Sequence, residues 1–307
     1  MQTKPDTTSG SRLVGTSLVA VSAIAFGTLP VFARYAFADG MDALSILFVR
    51  FSLAAIIMLV VVLIRGERLP RGSALYRLVG MGAVGYVAQT TAYLTALEYA
   101  SAGLVAFLLY LYPVFVALLA ALVLGERFTV VKGLALVLAL AGASLTVGPM
   151  EGQVLGILLA IAAATLYSIY IVVGSRVMKD VPAVQSSTVI FAAAGVSAGA
   201  LMVLNGPRLP SSGAGWGAMA AMIGISTILS VVTFLAGLER IGPTNAALVS
   251  MLEPVVTVLL ATWVLNETLP PLTLLGGGLI LMAVLSLTRS EVRRARTAVV
   301  SEANPRE

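Results

Sequence analysis

Histidine and cysteine are both missing from the 307-residue chain. Without histidine there is no side chain whose ordinary charge change falls near neutral pH, and no imidazole to act as a general base or hold a metal. Without cysteine there is no thiolate nucleophile, disulfide framework, zinc-finger spacing or haem attachment. No metal and no cofactor is expected. Charge is scarce too: 11% of residues are Asp, Glu, Lys or Arg and 59% are apolar, against about 25% and roughly 45–50% in a soluble globular protein. An ordinary soluble domain is excluded. The net charge of +5 would suit nucleic acid only if the cations gathered on a water-facing surface. They fall between apolar runs instead, so no nucleic-acid partner is expected.

What the chain has is hydrophobic length. Crossing about 30 Å of hydrocarbon takes roughly 20 residues, and uncharged runs of that order lie at 13–33, 78–97, 99–125, 133–150, 152–175, 181–207, 209–238 and 268–288, with 43–64 and 241–266 carrying one charge each. The pattern predicts an all-α integral membrane protein with ten transmembrane helices and the lipid bilayer as its partner. The linkers are short and punctuated by Gly, Pro or charge, as in Ala38-Asp39-Gly40 and Gly66-Glu67-Arg68-Leu69-Pro70. The run at 13–33, behind Lys4 and Arg12, has a secretory signal as its alternative reading; a repeat partner, described next, argues for a retained helix. With the N-terminus inside, sixteen Lys and Arg fall on inner segments and two, Arg34 and Arg208, on outer ones. That asymmetry predicts a multi-pass protein of a bacterial-type cytoplasmic (inner) membrane with both termini cytoplasmic. The basic tail 289–307 is expected to be a solvated, disordered end, with a lipid-headgroup contact through Arg293, Arg294 and Arg296 as the alternative.

Sliding the chain against itself by 141 residues aligns its halves without a gap. Leu97-Glu98 falls on Leu238-Glu239, Pro113-Val114 on Pro254-Val255, and Glu126 on Glu267, with 12 identities in the 30 positions from 97 to 126. Four parts follow: a cytoplasmic segment 1–12, a five-helix repeat 13–148, a second five-helix repeat 152–288, and the tail. Five is odd, so the second repeat enters the membrane from the opposite side. Inverted repeats of this kind put a substrate site near mid-membrane and support alternating access.

The strings Tyr110-Leu-Tyr-Pro-Val-Phe-Val-Ala-Leu-Leu-Ala-Ala-Leu-Val-Leu-Gly-Glu-Arg127 and Leu252-Glu-Pro-Val-Val-Thr-Val-Leu-Leu-Ala-Thr-Trp-Val-Leu-Asn-Glu267 resemble the paired fourth and ninth helices of the drug/metabolite transporter (DMT) superfamily, in its EamA-type exporters. The resemblance spans about 13 to 288. It implies a secondary transporter, and export is implied by the resemblance alone. Within the superfamily the chain is most similar to the YddG-type amino-acid exporters. Asn266 departs from the Gly usual before the second Glu.

An ionisable residue at mid-membrane costs about 2.5–3.5 kcal/mol on insertion scales and so points to function. Glu253 sits near the middle of the ninth helix, and Pro254 after it cannot donate to the carbonyl of residue 250. Ala246, Ser250, Glu253, Thr257 and Ala261 share one stripe at helical spacing, predicted to face a wet cavity where Glu253 holds an ammonium or exchanges a proton. A protonated, structural Glu253 bonded to a neighbouring helix is the alternative. Arg50, a third of the way into the second helix, is either the partner of a substrate carboxylate or part of a fixed ion pair with Asp39 or Asp42. Tyr86, Gln89, Thr90 and Tyr93 share a face of the third helix, and Thr227, Ser230, Thr233 and Phe234 hold nearby places on the eighth. Tyr110, Tyr112, Tyr167 and Tyr170 can line a cavity for apolar groups or, by cation–π contact, an ammonium; helix packing is the equal alternative for each. Pro113 and Pro254 are candidate helix breaks. Glu98, Glu239, Glu126 and Glu267 stand at helix ends as capping or gating groups, or as solvated turns.

Two motifs carry less. Gly195-x-x-x-Gly199 fits close helix packing, with a homodimer contact as the alternative. Gly80-x-Gly82-x-x-Gly85 matches a dinucleotide fingerprint by letter, but it has no preceding strand.

One mid-membrane acid, one base and a hydroxyl- and aromatic-rich lining fit a small zwitterion such as an amino acid. A phosphorylated substrate would need more cations. A lipophilic amine or cationic drug, using Glu253 and the aromatics alone, is the second reading. A channel would need a continuous polar pore, and an enzyme would need a nucleophile and base that the spans lack, so no catalytic residue is expected.

Overall fold

The computed structural model describes residues 9–126, 128–146, 151–203, 206–265 and 271–303. Among the described residues the helices group into ten rods, and eight helices are long and apolar enough to cross a membrane. Span 1 is Ser9–Gly27 with Leu29–Ala38, and span 2 is Ala43–Ile64. Span 3 runs through Ser73–Gly80, Met81–Tyr86 and Val87–Tyr99, and span 4 is Ala102–Leu109 with Tyr112–Leu124. Spans 5, 6 and 7 are Val130–Thr146, Val154–Val177 and Ala183–Val203. Span 8 runs through Gly213–Ile223, Gly224–Leu229 and Ser230–Ile241, span 9 is Pro243–Ser250 with Glu253–Leu265, and span 10 is Pro271–Ala303. No strand occurs among the described residues; Ala100 and Gly152 form one isolated bridge.

Neighbour relations follow the duplication. Span 2 lies along span 7 and span 5 along span 10, each pair joining equivalent helices of the two repeats. Span 1 packs on span 8 and span 6 on span 3, two contacts that the shift turns into each other, while spans 4 and 9 meet across the middle. Small residues allow the close approaches. A Cβ at Gly195 would stand 2.9 Å from Ser52 Oγ, and one at Gly199 2.9 Å from Phe48. The Gly195-x-x-x-Gly199 motif is therefore occupied inside the chain, by span 2, and does not offer a bare dimer face.

The irregularities are where sequence and structure part. Spans 4 and 9 both break, at Tyr110-Leu111 and Met251-Leu252, positions that the 141-residue shift superposes. Each break is followed by a half-helix with proline in its first turn, Pro113 and Pro254, where the missing N–H costs nothing. The continuous stripe expected through Ala246, Ser250, Glu253 and Thr257 is thus cut between its second and third members. Spans 3 and 8 each carry a π-helical segment, Met81–Tyr86 and Gly224–Leu229; the first contains most of the Gly80-x-Gly82-x-x-Gly85 string, of which Gly82 and Gly85 serve packing. A Cβ at Gly82 would lie 2.3 Å from the Ile190 carbonyl oxygen of span 7.

Span 10 corrects one expectation outright. Its helix continues through the basic segment to Ala303, so the tail is helical well past Arg289. Thirty-three residues at 1.5 Å each make a rod of about 50 Å, longer than the roughly 30 Å hydrocarbon core.

Candidate functional site

The broken helices bring both kinds of helix end to the middle of the bundle, N-termini of 29–38, 112–124 and 253–265 beside C-termini of 9–27, 102–109 and 243–250. Such half-helices supply free N–H and C=O groups at a depth where an unbroken helix offers none. Glu253 occupies the first turn of its half-helix, where the helix dipole favours a carboxylate. It retains accessible surface although protein surrounds it. Within electrostatic range it meets Tyr86, Tyr93, Tyr110, Tyr112 and Tyr167.

Arg50 is 4% exposed, and one of its terminal nitrogens donates to the Tyr86 hydroxyl at 3.2 Å. Its guanidinium also stands 4.6 Å from the Phe51 ring centroid. Its Nε has no partner, and no carboxylate among the described residues pairs with it. Neither proposed anion reaches it. Asp42 caps span 2 by accepting from Ser45 N at 2.8 Å and lies 3.8 Å from Arg208. Asp39 accepts from the backbone of Ser211 at 2.8 Å and of Ser212 at 3.1 Å. Hydrogen bonding from Ser212, then from Ser211, holds the Asp39 carboxyl below the ordinary carboxylate range.

A chain of rings joins the two charges. Phe191 lies 6.0 Å from Phe51, Phe51 4.8 Å from Tyr86, and Tyr86 5.8 Å from Tyr170. Tyr170 stacks on Tyr167 at 6.2 Å, and Tyr167 meets Tyr112 at 4.8 Å. The Tyr112 hydroxyl donates to the Ala247 carbonyl at 3.1 Å, beside Ser250 and against the span 9 break. Tyr86 is the hinge of this arrangement, bonded to Arg50 and in the field of Glu253. Phe51 and Phe191 escaped the sequence reading; shifting Arg50 by 141 residues lands on Phe191 and is the signal that would have found it.

Other candidates lie elsewhere or are engaged. Gln89 and Thr90 bond each other at 3.3 Å on span 3 and keep partial exposure. Thr227 and Ser230 are buried, and their hydroxyls return to their own span, to Met222 O at 2.9 Å and Ser226 O at 2.7 Å, where they satisfy carbonyls around the π segment. Ser250 is buried, and Thr257 donates to the Gly27 carbonyl at 3.3 Å. That contact ties span 9 to the span 1 break, where Thr28 also shares a 2.7 Å hydrogen bond with Ser226 of span 8. At the helix ends, Glu98 is exposed and Glu239 lies 3.7 Å from Arg240. Glu126 pairs with the buried Lys132 and accepts from Thr244 at 2.8 Å. Glu267 and its neighbours lie outside the described residues. No group of three or more potential metal ligands occurs among the described residues.

The helical rods of the described residues, their paired breaks at mid-depth and the polar groups gathered there define a polytopic membrane protein built by inverted duplication, the architecture of a carrier. The profile of the EamA-like transporter family matches residues 13–148 and 154–289, one match per repeat and 141 residues apart. The chain belongs to that family, within the drug/metabolite transporter superfamily, and is a membrane transporter. It is 28% identical over 273 residues to an uncharacterized transporter of Archaeoglobus fulgidus, covering 88% of this chain and 95% of that protein. It is 23% identical over 304 residues to the uncharacterized transporter YcbK of Bacillus subtilis, covering 92% and 94%. A crystal structure matches with a TM-score of 0.80 at 21% identity, covering 93% of this chain and 99% of that one, and so shares the fold.

Proposed function

We propose that this transporter exports small zwitterionic metabolites, amino acids foremost, across the cytoplasmic membrane by alternating access, with both termini in the cytoplasm. The orientation is supported by cations at the end of the bundle that carries the termini. One observation carries the substrate class: Arg50 is buried without a counter-anion among the described residues, and the Tyr86 it bonds lies within electrostatic range of Glu253. A lone guanidinium at membrane depth is costly, and a substrate carboxylate offsets that cost. Glu253, ringed by tyrosine, takes the ammonium. Likeness to the YddG-type amino-acid exporters agrees with this reading, and export follows from that likeness. Lipophilic amines would engage Glu253 and the rings while leaving Arg50 uncompensated, so they are the weaker fit. An enzyme or channel is weaker still.

The test is counterflow in proteoliposomes. Labelled neutral amino acids exchange saturably through the wild type, and Glu253→Gln and Arg50→Ala each insert normally but lose exchange. Full activity in both variants removes these residues from the site; exchange of organic cations without amino acids overturns the substrate class.

A further inference from the structure

A cavity of about 590 Å³ opens at the end of the bundle that holds both termini and reaches inward to Val249, one residue short of Ser250. Four cations line it, Arg12, Lys132, Lys179 and Arg240, against two carboxylates, Glu126 and Glu239. Both carboxylates are engaged, Glu126 with Lys132 and Thr244, and Glu239 with Arg240 at 3.7 Å. Lys179 is exposed and has no acidic partner among the described residues. The cavity also receives the N-terminus of half-helix 243–250 through Gly242 and Pro243, which adds to the positive sign. Low-dielectric walls focus such a field into the mouth instead of letting water disperse it.

We infer that this mouth is a charge filter to whose positive sign the exposed Lys179 contributes: it admits zwitterions and monoanions and turns back organic cations before they reach the central residues. The inference rests on the carrier reading above and narrows its substrate class. A zwitterion has no net charge to be repelled and can lead with its carboxylate. A monocation of the same size meets a net positive mouth from every approach. Cationic amines, which Glu253 and the tyrosines would tolerate, are thereby disfavoured at the threshold.

Sealed inside-out vesicles present this mouth to the medium. Initial uptake rates of glutamine, lysine and glutamate, close in size and differing in charge, are compared at roughly 20 mM and roughly 500 mM salt, where the Debye length falls from about 20 Å to under 5 Å. In the wild type the lysine-to-glutamine ratio is low and rises with salt. Lys179→Glu raises it at low salt by several-fold to about tenfold, Lys179→Gln by less, and Lys179→Arg leaves it unchanged. A ratio that is the same in the wild type and in Lys179→Glu, with glutamine still carried, overturns the filter and leaves the carrier reading intact. A wild type that carries no amino acid overturns both.

Discussion

Replacing Arg50 by methionine separates a binding role from a structural one. The substitution keeps an unbranched stem of similar length and deletes the charge. On insertion scales a charged residue at helix centre costs about 2.5–3.5 kcal/mol, and that cost disappears. Against it stands the loss of the 3.2 Å bond to the Tyr86 hydroxyl, worth about 1–3 kcal/mol if the hydroxyl finds no new partner, and of the contact with Phe51, worth about 0.5–2 kcal/mol. The two sides cancel to within about 2 kcal/mol, a change in Tm of under about 6 °C for a chain of this size. A guanidinium buried as half of an ion pair behaves otherwise, since its removal strands a buried carboxylate and costs about 3–5 kcal/mol. The assay is thermal unfolding in detergent at matched scan rates, beside amino-acid counterflow in liposomes. Near-wild-type Tm with transport reduced on the order of 30-fold or more is the expected pair of results, because truncating one member of a buried charge contact costs about 2–5 kcal/mol of binding. A fall in Tm of ten degrees or so, or wild-type transport, refutes the argument.

Two further outcomes follow from local geometry. Gly82→Ala places a Cβ 2.3 Å from the Ile190 carbonyl oxygen and should destabilise the span 3–span 7 contact by about 1–3 kcal/mol. Gly80→Ala, with nothing within 4 Å, should leave Tm unchanged or raise it, by up to about 1 kcal/mol from helix propensity; equal effects of the two would discredit the close approach. At the opposite end from the termini, the lowered Asp39 pKa means that its bonds stabilise the fold above its unfolded pKa of about 3.9, and that this contribution vanishes as pH falls through the lower folded value. The Tm difference between wild type and Asp39→Asn should therefore hold from neutral pH to about 5 and close below about 4; a difference that grows in acid would contradict the sign.

The duplication and the ten crossings were legible because hydrophobic length and a constant 141-residue offset are properties of the chain alone. The break at Met251-Leu252 was half legible: Pro254 announced a lost hydrogen bond, but not that the helix would restart at Glu253. The π segments had no signal, since Gly82 and Gly85 fit an α-helix and a π-helix alike. Thr227 and Ser230 looked like cavity hydroxyls for the same reason. Their spacing gives a face, and only the surrounding carbonyls decide whether a hydroxyl looks outward or bonds back to its own helix. The link from Thr28 to Ser226 joins residues 198 apart in the chain, a separation that periodicity cannot cross. The helical tail misled by composition, because charge that disfavours a packed core does not forbid a helix already nucleated by a membrane span.

The two repeats share the breaks of spans 4 and 9 and the π segments of spans 3 and 8, though span 1 breaks at Thr28 while span 6 is continuous, and they differ in their chemistry. Breaks fall at Tyr110-Leu111 and Met251-Leu252, and π segments begin at Met81 and Gly224. Yet the 141-residue shift sets Arg50 against Phe191, Tyr86 against Thr227, Glu253 against Tyr112 and Lys132 against Thr273. The likeness is what the proposed alternating access requires, since in that reading each half adopts the other's shape as the site turns over. The difference has an electrostatic cause. A fully symmetric core would hold two guanidinium and two carboxylate groups at mid-membrane, each costly to insert, and they would relieve that cost by pairing with one another. A self-paired core leaves nothing for a ligand to complete. In the reading proposed above, rings in the mirror positions leave one cation and one acid without partners, and their counter-charges arrive with the cargo.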